Sequence, residues 1–203
     1  MNDGDPLRLY YRPLIGWFYR KRLDLGLSAL AKPRYQRILD VGCGSGIMLP
    51  SLSGLSKQVV ALDLAQNLVQ VKSFVEDNQL SVSVATADVT RIPMSSNSFD
   101  AVISLSVLEH LPEIKSAIQE CMRVLKPGGE LVIGMPAVNI WMNRALQILA
   151  PKLNMDEEHL SPPSEAICEL QKYSTSIRLY RLPKISPQAM SLYTVMWCQK
   201  PKY

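Results

Sequence analysis

The sequence has little of what many active sites are built from. Two histidines in 203 residues leave almost no imidazole for metal ligation or proton transfer. The four cysteines, Cys43, Cys121, Cys168 and Cys198, form no C-x-x-C pair and sit in apolar segments. That excludes a zinc site or disulfide framework and predicts buried thiols in a reducing compartment. No apolar run approaches the roughly 18 residues of a membrane-spanning helix. The longest, Leu131 to Met142, is interrupted by Pro136 and Asn139. Asp3 and Asp5 stand where a signal peptide would be basic, and no apolar stretch follows them, so the expected location is the cytoplasm. Repeats and low-complexity runs are absent as well.

What is present is ordinary globular composition with an uneven charge. Hydrophobic residues make up 47% and charged residues 20%, enough apolar content to exclude general disorder. The net charge of +4 is not spread evenly: residues 1–37 hold eight Lys/Arg against three Asp/Glu, and the remainder holds fourteen against fifteen. A body this close to neutral lacks the basic face of a nucleic-acid reader. The excess falls in Leu7–Arg22, where Leu9, Leu14, Ile15, Trp17 and Phe18 alternate with Arg8, Arg12, Arg20, Lys21 and Arg22. Aromatics beside cations suit an amphipathic lid, or peripheral contact with a membrane surface.

From residue 36 onward the chain alternates strand-like and helix-like segments. Gln36–Val41, Gln58–Asp63, Val82–Ala87, Phe99–Ser104 and Glu130–Met135 are near-continuous apolar runs, the pattern of parallel strands covered on both faces. Leu64, Leu68, Val71 and Val75 recur at helical spacing, as do Ile114, Ala117, Ile118, Cys121, Met122 and Leu125. Lys126-Pro127-Gly128-Gly129 ends the second of these helices. Two further strands are expected near Thr175–Arg181 and Leu192–Gln199. The Pro-interrupted stretch before them should place one or two helices over the top of the sheet. The pattern predicts an α/β fold with a doubly wound sheet, whose ligands lie beyond the carboxyl ends of the strands.

Those strand ends carry the chemistry. The first runs into Asp40-Val41-Gly42-Cys43-Gly44-Ser45-Gly46, where glycines permit a tight turn and close approach of a ligand to the backbone. The second ends in Asp63, at the distance of a carboxylate that accepts from two ribose hydroxyls. Together they point to a nucleoside-containing ligand. The spacing is G-x-G-x-G, and the third glycine of a dinucleotide fold is replaced by Ile47.

ILDVGCGSG, VVALDLAQNLV, TADVTRIPMSSNSFDAVIS, LSVLEHL and RVLKPGGELVI, in unbroken order over residues 36–136, resemble the motifs of class I S-adenosylmethionine-dependent methyltransferases. The branch they resemble is the methyltransferase-11, ubiquinone/menaquinone-biosynthesis-like group. The resemblance implies a Rossmann-like seven-stranded sheet of order 3-2-1-4-5-7-6 with the last strand antiparallel. It implies an N-terminal helical lid (1–35), a cofactor-binding core (36–136), a short cap (137–172) and a final strand pair (173–203). It also implies S-adenosylmethionine as cofactor and a small organic acceptor.

Carried across, Gly42, Cys43 and Gly44 pass beside the methionine and ribose, and Asp40 fixes the methionyl ammonium. Asp63 takes the ribose hydroxyls and Leu64 packs on adenine. Asp88 and the Val89 N–H pair with the adenine edge, while Ser104, Leu105 and Ser106 line the transferring methyl. Tyr11 or Tyr19, in the lid, is implied to reach the cofactor carboxylate. His159, in the cap, is the candidate general base; His110 braces the loop after strand four. Other readings of single residues stay open: Asp40 as a turn cap, Asp63 as a helix N-cap, Asp88 as a turn acid. Two other functions stay open as well, a non-catalytic cofactor-binding scaffold and a nicotinamide oxidoreductase. A nucleic-acid amino-methyltransferase is disfavoured by Ser104-Leu105-Ser106-Val107, which stands where an Asn/Asp-Pro-Pro-aromatic run would be.

Overall fold

The computed structural model describes residues 13–64, 68–137, 161–183 and 190–202. The elements are α1 (Pro13–Ala29), β1 (Tyr35–Val41), α2 (Leu49–Leu55), β2 (Ser56–Asp63), α3 (Leu68–Asp77), β3 (Val82–Thr86), β4 (Phe99–Leu105), α4 (Lys115–Val124), β5 (Leu125–Pro136), α5 (Pro163–Leu170), β6 (Ile177–Leu182) and β7 (Tyr193–Gln199). They form one seven-stranded sheet of order β3-β2-β1-β4-β5-β7-β6. The first five strands in the chain pair in parallel, and β7 lies antiparallel to both β5 and β6. This is the expected topology.

The continuous apolar runs now have their reason. Leu39, Val41, Val60, Leu62, Val102 and Ile133 face a core completed by α4 and α5. Their neighbours Ile38, Val59, Ala61, Ala101 and Val132 face the opposite core, under α1, α2 and α3. Successive side chains point to opposite faces, so both must be apolar when both faces are covered.

The structure corrects the sequence reading in four places. The helix α2 was not anticipated; its seven residues, LPSLSGL, are too few to show a period. Strand β5 begins at Leu125 instead of Glu130, because Leu125 already pairs with Phe99 before the register shifts. Helix α5 does not roof the sheet; it packs through Ala166 and Leu170 on the face that α4 covers. Cys168, expected buried, is exposed on the outer side of α5, while Cys43, Cys121 and Cys198 are buried.

One buried carboxylate sets where α1 ends. Glu130 Oε2 accepts from the Ala31 N–H (2.9 Å), the Tyr35 hydroxyl (2.8 Å) and the Trp197 indole N–H (3.2 Å). It thereby ties the segment after α1 to β1, β5 and β7 at the amino-terminal edge of the sheet. Burial and the Glu130 charge hold the Tyr35 phenol well above its ordinary pKa, so it stays a donor. From that anchor α1 runs back across the sheet toward the carboxyl ends.

Glu130→Ala removes the shared acceptor and leaves three donors without it. The expected loss is about 3–5 kcal/mol of unfolding free energy in urea denaturation, a large part of a typical domain's stability. A loss below about 1 kcal/mol would mean that the anchor contributes little.

Candidate functional site

The carboxyl ends of β1, β2 and β4 are joined through backbone. The N–H groups of Gly42 and Cys43 both donate to the Leu62 carbonyl, at 2.7 and 3.0 Å. Gly44 N–H donates to Asp63 Oδ2 at 2.7 Å, so the glycine turn of β1 is clamped onto the acid that ends β2. Gly42 has φ +76°, and a Cβ there would stand 2.1 Å from Val107 Cγ2 in the turn after β4. Only glycine satisfies both the left-handed backbone and that contact. A Cβ on Gly44 would meet nothing within 4 Å; the space over it is open to a ligand.

Between this turn, α1 and the end of β4 lies a cavity of about 120 Å³, lined among others by Arg22, Asp40, Gly42, Cys43, Leu105 and Ser106. It is smaller than the cavity of roughly 150 Å³ that admits benzene. A nucleoside is larger than this cavity, and the open space over Gly44 continues it.

The cavity holds opposite charges. Asp40 is 4% exposed, and burial, reinforced by the Asp63 carboxylate, pushes its carboxyl up to about 7. Arg22 of α1 lines the same cavity. Its Nη1 donates to Ser106 Oγ at 3.0 Å, and its guanidinium lies 4.0 Å over the Tyr19 ring. Ser106 Oγ also shares a hydrogen bond of 2.9 Å with the Tyr193 hydroxyl. Burial and the same two carboxylates push the Cys43 thiol well above its usual range, which leaves it protonated and a packing residue.

The remaining expected residues are distributed as follows. Leu105 and Ser106 line the cavity; Ser104 is fully buried in β4 and does not line it, and its hydroxyl has no partner among the described residues. Asp88 Oδ1 caps the turn Val89–Arg91, accepting from the Thr90 N–H and hydroxyl, both at 2.8 Å. Leu64 is exposed at the end of β2. His110 is exposed, and its N–H closes the turn onto the Val107 carbonyl. Tyr11 and His159 lie outside the described residues.

Three residues escaped the sequence reading. Arg22 stands in the sequence among the cations of Leu7–Arg22, yet it falls on the same helical stripe as Tyr19, Gly26 and Ala29, which are buried. That spacing was the available signal. Glu109 stands in LSVLEHL with no assigned role. It is 1% exposed, and burial pushes its carboxyl up to about 7 against the opposing influence of Arg22 and the Ser106 hydroxyl. Its main chain is also an attachment point: Ser161 donates its N–H to the Glu109 carbonyl (3.3 Å) and its hydroxyl to the Leu111 carbonyl (2.9 Å). Tyr193 reaches the site from 87 residues away and had no local signal.

Comparison with known proteins agrees with this geometry. Residues 39–133 match the Methyltransf_11 family, described as a methyltransferase domain. The ubiquinone biosynthesis O-methyltransferase of Xanthomonas axonopodis pv. citri (strain 306) is 38% identical over 110 residues, 53% of this chain and 46% of that protein. The chain thus matches about half the length of such curated relatives. Among solved structures, the N-methyltransferase NodS from Bradyrhizobium japonicum WM9, in complex with S-adenosyl-L-homocysteine, superposes with a TM-score of 0.67 at 19% identity, over 98% of this chain and 93% of that one. The [4+2]-cyclase SpnF superposes with a TM-score of 0.68 at 17% identity, over 89% and 80%. These likenesses show the fold.

The raised carboxyls give a signed pH dependence. An acid with a raised folded pKa adds stability that is complete below its unfolded value, 3.8 for Asp40, and is lost as pH rises through about 7. Glu109 acts in the same direction, and Asp100 and Glu120, whose pKa values are lowered by partners, act oppositely at lower pH. Between about pH 5 and pH 8, Asp40→Asn should lose about 2–3 kcal/mol less unfolding free energy than wild type. Parallel profiles in urea titrations would show that Asp40 is not buried as a neutral acid.

Proposed function

We propose, from the match of residues 39–133 to the Methyltransf_11 family, that the protein transfers a methyl group from S-adenosylmethionine to a small organic acceptor. The observation that carries this reading is the pairing of Arg22 and Asp40 in one small cavity beside the glycine turn. A cation and a buried acid lining one cavity match the carboxylate and ammonium of an amino acid. A dinucleotide would instead set its pyrophosphate beside Asp40 and Asp63, two carboxyls that disfavour further negative charge. The same pairing therefore argues against a nicotinamide oxidoreductase.

In this reading Asp63 accepts from the ribose hydroxyls, with its Oδ2 preoriented by Gly44. Leu64 and the Asp88–Val89 turn meet the adenine, and Leu105 and Ser106 face the sulfur. When bound, S-adenosylmethionine would supply an electrophilic sulfonium methyl, to whose carbon an acceptor lone pair would bond in line as the carbon–sulfur pair left with S-adenosylhomocysteine. The chain's part is alignment and exclusion of water, because the charge is dispersed rather than created. Helix α1 closes one side of the cavity as a lid. The name of the curated relatives favours oxygen as the atom methylated, and a hydroxyl acceptor must lose its proton. His159 is our candidate for that base.

The near-neutral charge of the body supports a small acceptor over a nucleic acid. Three buried free thiols support a cytoplasmic location. Among the described residues no helix is long and apolar enough to cross a membrane. The outer face of α1 supports peripheral contact with an anionic surface instead: Trp17 is 58% exposed beside the exposed Arg20 and Lys21.

Calorimetry tests the cofactor. Wild type should bind S-adenosylmethionine, and Asp63→Ala should weaken it by about 1.5–3 kcal/mol, roughly ten- to a hundredfold. Equal affinities, or a wild-type preference for a nicotinamide cofactor, would overturn the assignment. Binding without transfer of labelled methyl to any member of a hydroxyl, amine and carboxylate panel would favour the scaffold reading. With an acceptor in hand, His159→Ala should slow single turnover about 100-fold or more. A change within severalfold would remove His159 from the chemistry.

A further inference from the structure

Tyr193 has no part in the motifs of the nucleoside site, yet its hydroxyl ends at the wall of the cavity. It stands at the start of β7, fully buried, and shares its hydrogen bond with Ser106 rather than with a neighbour on its own strand. Its path depends on Gly134 of β5. A Cβ there would lie 2.7 Å from Tyr193 Oη, so any side chain at this position would displace the phenol. The Gly134 carbonyl meanwhile accepts the Ser106 N–H at 2.8 Å. Ser106 needs that support, because its φ of +59° is a left-handed conformation that serine rarely adopts. One glycine therefore seats the phenol and steadies the serine that the phenol touches.

The purpose of holding Ser106 is visible on its other side. Its Oγ accepts from Arg22 Nη1, and the Arg22 guanidinium also lies 5.9 Å from the Tyr193 ring. A guanidinium on a flexible stem loses rotamer freedom when it binds, and a partner that fixes it beforehand reduces that cost.

We propose that Tyr193 is a positioning residue for the cofactor, which acts through Ser106 to hold Arg22 where a ligand carboxylate docks in the cavity. The inference rests on the reading of the cavity as an amino-acid site. It adds that the last strand of the sheet, outside the region matched by the family, sets recognition of the carboxylate. Tyr193 itself does not touch the cofactor.

Two ligands separate this role from a merely structural one. S-adenosylhomocysteine and 5′-methylthioadenosine share the nucleoside thioether, but only the first carries the amino-acid carboxylate and ammonium. Tyr193→Phe keeps the ring and removes the hydroxyl. It should weaken S-adenosylhomocysteine about fivefold and leave 5′-methylthioadenosine within about twofold. In an Arg22→Ala background, adding Tyr193→Phe should change S-adenosylhomocysteine affinity by less than about twofold, since the two act as a unit. Equal losses for both ligands, or a full loss in the Arg22→Ala background, would overturn the proposal. If Tyr193→Phe folds poorly, Ser106→Ala breaks the same link from the loop side and should weaken S-adenosylhomocysteine by a larger factor than 5′-methylthioadenosine; equal factors count against the proposal. If wild type binds neither ligand, the cofactor assignment itself falls. If both bind and no variant is selective, only the role of Tyr193 falls.

Discussion

The close contact of Gly42 with Val107 is the constraint on which the site depends. It brings the turn after β1 against the turn after β4, and no side chain at position 42 would permit it. The Leu62 carbonyl, receiving two N–H groups, and the Asp63 carboxylate, receiving a third, complete the closure from the side of β2. Much of the ligand platform is thus held by main-chain atoms of three parallel strands. Main chain in paired strands has few alternative positions, so a ligand meets a surface that needs little rearrangement.

Over that platform the electrostatics are one-sided. Asp63 raises the Asp40 carboxyl while Arg22 opposes the rise at Glu109, and both Asp40 and Glu109 are almost completely buried. Burying an ionised carboxylate without full pairing costs several kcal/mol, which is why both buried acids shift toward neutrality. Such a cluster is poor for the stability of the empty protein. In the function proposed above, an ammonium beside Asp40 and a carboxylate beside Arg22 would offset that cost. Stability and readiness to bind are opposed here, as is usual where a site is built before its ligand arrives.

Much of this was legible in the sequence, and the exceptions have physical reasons. Strands β1, β2 and β4 were readable because both faces are covered, which makes their apolar runs nearly unbroken. The glycine turn and Asp63 were readable because backbone geometry and ribose chemistry both restrict residue type at those places. Arg22 was misread because charge was weighed before periodicity; the spacing to Tyr19 and Ala29 places it on the buried stripe. Cys168 was misread for the converse reason: its apolar neighbours Ile167 and Leu170 do not share its side of α5. Tyr193 and Gly134 could not have been found locally. Their meaning lies in the pairing of β5 with β7, where residues nearly sixty positions apart stand side by side.

The attachment of Ser161 to the turn after β4 bears on which substitutions that turn can absorb. The N–H of Ala137, just past β5, is held by the Leu192 carbonyl at 3.1 Å, and the Ser161 N–H by the Glu109 carbonyl at 3.3 Å. The Ser161 hydroxyl adds one more bond, to the Leu111 carbonyl at 2.9 Å. Every one of these acceptors is a main-chain oxygen, which all residue types share. Replacement of the side chains at 109, 111, 137 and 192 is therefore filtered by packing and charge, while the moorings themselves carry over unchanged.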